Sequence, residues 1–147
     1  MKSFTTNNQD ETIALGEKIG NLLESGDTVL LVGDLSCGKT TITKGIGKAL
    51  GVKKIINSPT FTIVKEYKGE KCDLHHLDLY RLDGVNNDFD LEEHIEGDNV
   101  CVIEWPYQVT DILPKEYLLI NMKRINEFKR EIEITGIGRY IKKEEML

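Results

Sequence analysis

Two kinds of apolar pattern alternate along the chain, and each predicts an element. From residue 9 to residue 25, Leu15, Ile19, Leu22 and Leu23 fall on one stripe, the spacing of a helix packed on one side. Asn8 stands at the N-cap position, Glu11 three residues later completes a capping box, and Gly26 supplies the stop. Thr28-Val29-Leu30-Leu31-Val32 is then apolar without alternation, which predicts a strand buried on both faces. It enters a glycine-bearing loop that leads into a second helix over residues 39–50, ended by Gly51.

Beyond that helix, a β-branched and aromatic run over residues 61–67, a turn at Lys68-Gly69-Glu70 and a return over residues 72–79 predict a hairpin. A short acidic helix is expected over residues 88–96. Asn99 to Glu104 repeats the doubly buried pattern. A closing hairpin is expected over residues 117–123 and 130–135, because Glu131, Glu133 and Thr135 alternate with Ile132 and Ile134. Helices interleaved with strands and followed by hairpins predict an α/β protein, with a mixed, mostly parallel sheet, helices on both faces and antiparallel hairpin additions. No repeat or linker interrupts the pattern, so residues 1–147 read as one domain.

Composition narrows the setting. No apolar run approaches the ~20 residues of a membrane span, and the polar start Met1-Lys2-Ser3-Phe4-Thr5-Thr6 lacks the apolar region of a signal peptide. The three cysteines, Cys37, Cys72 and Cys101, form no CxxC pair. These features fit a reducing, cytoplasmic setting, with Cys72 and Cys101 as small core residues. Cys72-Asp73-Leu74-His75-His76 lacks the second ligand pair of a zinc site, and His75 and His76 alternate across a strand, so at most one can face a given site. The formal net charge is −6. Its excess sits at Asp83, Asp88, Asp90, Glu92, Glu93, Glu96 and Asp98, while the chain from Lys115 onward is mildly basic. Such a segment is a solvated face or a docking surface for a basic partner, and the acidic balance disfavours direct nucleic-acid binding.

The loop carries the chemistry. Gly33 to Thr40 satisfies G-x4-G-K-T, a pattern that composition alone produces roughly once in 200 chains of this length. A buried strand enters it and a helix leaves it, which defines a P-loop NTPase-like unit. The main-chain N–H groups of Gly33, Leu35, Ser36, Cys37, Gly38, Lys39, Thr40 and Thr41 then surround the phosphates at a helix N-terminus. Lys39 neutralises the β- and γ-phosphates, and the Thr40 hydroxyl ligates Mg2+. Two carboxylates end strand-like runs and can serve the metal or the attacking water: Asp78 after His75-His76-Leu77, and Glu104 after Val100-Cys101-Val102-Ile103. The apolar pattern favours Glu104 as the strand-end residue but does not divide the roles. Ser58-Pro59-Thr60-Phe61-Thr62 either starts the following strand at Pro59 or forms a γ-phosphate switch, and the residues alone do not choose between the two. The absence of Asn-Lys-x-Asp favours ATP over GTP.

Gly-Asp-Leu-Ser-Cys-Gly-Lys-Thr-Thr from Gly33, Ser-Pro-Thr-Phe-Thr from Ser58, His-Leu-Asp-Leu-Tyr-Arg from His76 and Ile-Glu-Trp-Pro from Ile103 together resemble the TsaE (YjeE-type) family of bacterial P-loop ATPases. The order matches over nearly the whole chain. The resemblance implies a Mg2+-dependent ATPase of tRNA threonylcarbamoyladenosine biosynthesis. It would bind the TsaD–TsaB pair and reset it between turnovers, with tRNA contacted indirectly and no membrane involved. It further implies Thr60 as the switch threonine, Asp78 as the Walker B aspartate, Glu104 as a carboxylate near Mg2+ and Trp105 beside the nucleotide. Thr6 and Lys129 or Arg130 would border the adenine. This chain has Ser36-Cys37 where the family usually has Gly-Ala. Ser36 there lacks glycine's freedom at positive φ, and a thiol at position 37 beside a helix N-terminus is expected to have a lowered pKa. A small-molecule kinase and a non-hydrolytic, nucleotide-gated interaction module are the alternative readings.

Overall fold

The computed structural model describes residues 1–34, 36–58, 64–79, 93–95, 97–104 and 113–147. Their strands are β1 (Lys2–Thr6), β2 (Thr28–Val32), β3 (Val64–Tyr67), β4 (Asp73–Asp78), β5 (Asn99–Glu104), β6 (Tyr117–Arg124) and β7 (Arg130–Ile137). The helices are α1 (Gln9–Gly20), α2 (Lys39–Ala49) and the short α3 (Ile141–Glu145). All seven strands join one sheet in the order β1-β7-β6-β2-β5-β4-β3. The inner strands β6, β2, β5 and β4 run parallel to one another, while β1, β7 and β3 attach antiparallel at the sides. This is the mixed, mostly parallel α/β sheet that the apolar pattern predicts. Among the described residues, no helix is long and apolar enough to cross a membrane.

Burial follows position in the sheet. Every residue of β2 and of β5 is buried, because each lies between two parallel neighbours with both faces covered. On one face Leu15 and Ile19 of α1 and Ile42 and Ile46 of α2 pack with Val29, Leu31, Val100, Val102, Leu118 and Ile120. The two helices approach closely because Gly16 and Gly45 face each other: a Cβ on Gly45 would run into the main-chain oxygen of Ile13, and one on Gly16 into that of Ile42. On the opposite face Leu30, Leu77, Leu79, Cys101 and Ile103 form a smaller cluster, with Ile95 and Leu113 against it. Most of the acidic helix expected over residues 88–96 lies outside the described residues.

Two elements differ from the sequence pattern. The first helix ends at Gly20 rather than Ser25. Leu23 stays buried, but the chain tightens through Leu22 N–H to Ile19 and Leu23 N–H to Gly20, and the Asp27 carboxylate takes the Glu24 N–H at 2.9 Å. The apolar stripe continues past the point where the backbone leaves the helix. At the N-terminus, the polar segment of β1 pairs in full with β7, Lys2 opposite Ile134 through Thr6 opposite Arg130. Only Phe4 packs on the core, so its apolar signal is a single residue.

Candidate nucleotide site

The loop after β2 takes its shape from several local constraints. Gly33 has φ 153°, and a Cβ there would meet the Cys37 Sγ and the Met122 carbonyl oxygen at 2.6 Å. Ser36 has φ 66° and Gly38 φ 101°, left-handed conformations that let successive N–H groups turn inward. Cys37 N–H bonds the Asp34 carbonyl at 3.3 Å. Gly38 caps α2 with no side-chain hydrogen bond to the helix start, which leaves the first-turn amides for an anion. Lys39 Nζ donates to the Gly33 carbonyl at 2.9 Å, so the ammonium spans the loop it begins from. Thr40 and Thr41 follow in the first turn of α2, both half-buried.

The two carboxylates come together. Asp78 and Glu104 are register partners at the ends of β4 and β5. By alternation their side chains project to the α1–α2 face, as does that of His76. Glu104 is 6% exposed, and burial pushes its carboxyl up to about 7, with the Lys39 charge opposing and Asp78 reinforcing. His76 is fully buried with its Nε2 3.9 Å from Glu104 Oε1. Neither of its ring nitrogens has a hydrogen-bond partner among the described residues, and burial brings its pKa down to about 3. A neutral imidazole therefore stands beside Glu104. The hydroxyl of Thr40 and the carboxylates of Asp78 and Glu104 make an all-oxygen donor set, which suits a hard divalent cation such as Mg2+.

The hairpin turn between β6 and β7 closes over the loop. Arg130 Nε donates to the Cys37 carbonyl at 3.0 Å and Nη2 to the Ser36 carbonyl at 3.4 Å, while Nη1 holds Asn126, Glu127 and Lys129 of its own turn. A cleft beside the helix start is lined by Gln9 and Thr12 of α1, Gly38 and Thr41, and Glu127, Phe128 and Arg130. Gln9, Thr12, Glu127 and Phe128 join this lining without any motif that points to them. The signal for Phe128 is an aromatic placed in a polar turn, where it is 64% exposed. Thr6 is buried behind this lining, its Oγ1 2.7 Å from that of Thr12.

Cys37 departs from expectation. Its side chain is 1% exposed, packed into the main core cluster and against Gly33. Burial raises its thiol pKa above the usual value despite the opposing charge of Lys39. The helix N-terminus does not lower it, because Sγ is packed into the core cluster rather than exposed at the helix start. Leu35, Thr60 and Trp105, which the sequence places at the loop, the switch and beside the nucleotide, lie outside the described residues.

Loop, helix start and strand-end carboxylates define a P-loop nucleotide-binding protein of the α/β class. A family model for "Threonylcarbamoyl adenosine biosynthesis protein TsaE" matches residues 6–132. The chain is 42% identical over 135 residues to the tRNA threonylcarbamoyladenosine biosynthesis protein TsaE of Bacillus subtilis (strain 168), covering 92% of this chain and 85% of the relative. It is 38% identical to that of Treponema pallidum (strain Nichols), over 92% of this chain and 100% of the relative. The crystal structure of Bacillus subtilis YdiB superposes with a TM-score of 0.84 at 36% identity, covering 99% of this chain and 93% of the other. The chain belongs to the TsaE family of tRNA threonylcarbamoyladenosine biosynthesis.

Proposed function

We propose that this chain is a Mg2+-dependent ATPase that acts on the TsaD–TsaB complex and sustains its turnover in threonylcarbamoyl modification of tRNA position 37. The observation that carries the reading is the cross-strand pair of half-exposed Asp78 and buried Glu104 beside the phosphate loop, with Glu104 under the field of Lys39. A site that only bound nucleotide would need the loop and Lys39 but no buried carboxylate of raised proton affinity. Membership in a tRNA-modification family supplies the setting.

In this reading the loop amides and Lys39 hold the β- and γ-phosphates, with Thr41 at the helix start and Arg130 holding the loop from the hairpin. Thr40 and Asp78 would hold Mg2+, with Glu104 near it through a water, and the ion would neutralise charge developing on the phosphate oxygens. Glu104, a buried carboxylate beside Lys39, takes the proton of the attacking water, and half-exposed Asp78 serves the metal side. Thr60 senses the γ-phosphate and Trp105 flanks the nucleotide. Phe128 offers an exposed ring to the base beside Gln9 and Thr12, while Thr6 supports Thr12 from behind.

ATPase activity measured with and without TsaD–TsaB tests the reading. Weak hydrolysis alone that rises on mixing supports it. An unchanged rate on mixing counts against it, and phosphoryl transfer to an added metabolite would support a small-molecule kinase. Glu104→Gln should keep nucleotide binding and lose hydrolysis. If multiple-turnover tRNA modification persists in that variant, the chain is a nucleotide-gated module instead.

A further inference from the structure

The other side of β4 carries a cluster that nucleotide chemistry does not use. Glu66 of β3 and His75 of β4 are register partners, so their side chains share a sheet face. His75 lies one residue from His76 and therefore points away from the phosphate loop, on the side of Leu77 and Cys101. Residues 93–95 cross this face: Ile95 packs on the apolar cluster, and the buried Asn99 amide holds the His94 carbonyl at 3.0 Å. That anchoring sets His94 Nδ1 2.9 Å from His75 Nδ1. Glu66 Oε1 is 3.8 Å from His94 Nδ1 and 3.9 Å from His75 Nε2, and one donor atom from each of the three residues lies within 4.8 Å of the others.

We propose that Glu66, His75 and His94 form a binding site for a divalent transition-metal ion of the Zn2+ class on the sheet face opposite the phosphate loop. Two imidazoles and one carboxylate match the ligand preference of such ions, and three protein ligands leave a coordination position for water. Metal–ligand bonds of about 2.0–2.1 Å place tetrahedral donors about 3.3 Å apart. The spacings from His94 Nδ1, 2.9 Å to His75 Nδ1 and 3.8 Å to Glu66 Oε1, bracket that value, and Glu66, with its side chain 62% exposed, can swing inward. The histidines are held by the sheet and by Asn99, so the ion would pin residues 93–95 to the β3–β4 hairpin. Mg2+ prefers oxygen donors, which keeps the two metal sites distinct.

The test is titration of the metal-free chain with Co2+ in excess Mg2+ and ATP, followed by absorption and by displacement with Zn2+. One equivalent should produce the intense d–d bands of a low-coordinate site. The bands should vanish in His75→Asn/His94→Asn, and affinity should fall about tenfold or more in Glu66→Gln. Glu66→Gln keeps the measurement decisive if the double variant fails to fold, because the side chain it alters is exposed. The chain has three histidines, so the imidazole nitrogen spectrum adds an internal control. Zn2+ should shift His75 and His94 and leave His76 unchanged. Absence of the bands, bands undiminished in the variants, or a shift confined to His76 would overturn the proposal.

Discussion

Arg130 Nε donates to the main-chain carbonyl of Cys37 at 3.0 Å, so a residue at the start of β7 holds the phosphate loop by its backbone. A guanidinium shared among carbonyls of two segments acts as a brace. Arg130→Ala should loosen the loop and weaken nucleotide binding about tenfold, on the order of 1.5 kcal/mol for lost charge-assisted bonds. Equilibrium titration with a fluorescent nucleotide checks this. Arg130→Lys should recover little, since an ammonium cannot span both carbonyl sets.

Ser36 at φ 66° is the non-glycine residue with positive φ among those described. Relief of left-handed strain in Ser36→Gly, about 1–2 kcal/mol, exceeds the added freedom of the unfolded chain. The expected net gain is about 0.5–1 kcal/mol, a rise of about 2–4 °C in melting temperature. A lower melting temperature would show that the Ser36 side chain makes a contact worth more than the backbone strain.

Glu104 has its pKa raised to about 7 from an ordinary 4.5, so the folded protein holds a proton that the unfolded chain has released between those values. Stability from this group is full below pH 4.5, declines as pH rises toward 7, and stays low above it. Metal-free Glu104→Gln should therefore exceed the parent in stability at pH 8, by on the order of 2–3 kcal/mol. The difference should close near pH 4.5. Urea denaturation at the two pH values reads it directly, and a variant less stable than the parent at pH 8 would refute the burial argument.

Cys37, Cys72 and Cys101 are all free and buried. Thiol reagents should label them at the rate of unfolding rather than of diffusion, and saturating nucleotide should slow labelling only by stabilising the fold. Rapid modification of Cys37 in the native protein would contradict the packing of Sγ against Gly33.

Gly45→Ala places a methyl against the Ile13 carbonyl and the Gly16 Cα. The helix pair must separate, at an expected cost of about 1–3 kcal/mol. A denaturant midpoint equal to the parent's would show that α1 and α2 yield at no cost.

The legible parts of the fold are those whose signal is local. β2 and β5 announce themselves by unbroken apolar runs, α2 by its loop and terminal glycine, and the β6–β7 hairpin by alternation. β1 is not legible because its partners on β7 lie more than a hundred residues away and only Phe4 marks its inward side. Motif spacing locates the loop, Lys39, Asp78 and Glu104, yet it cannot say that the two carboxylates are cross-strand partners. Nor can it show that Cys37 turns inward. The Glu66–His75–His94 cluster is invisible in sequence for the same reason: three segments supply one residue each, and only the sheet register and Asn99 bring them together.

Alternation along β4 places Asp78 on the α1–α2 face and His75 on the reverse side, three residues away, a separation of roughly 10 Å along one extended strand. The two faces have no side chain in common there, yet they share a main chain. A strand hydrogen-bonded on both edges, to β3 and to β5, has little room to deform locally and moves as a rail. In the proposed reading, an ion gripped on the reverse face would bear on the same strand that carries Asp78, with no wire of side-chain contacts needed through the core.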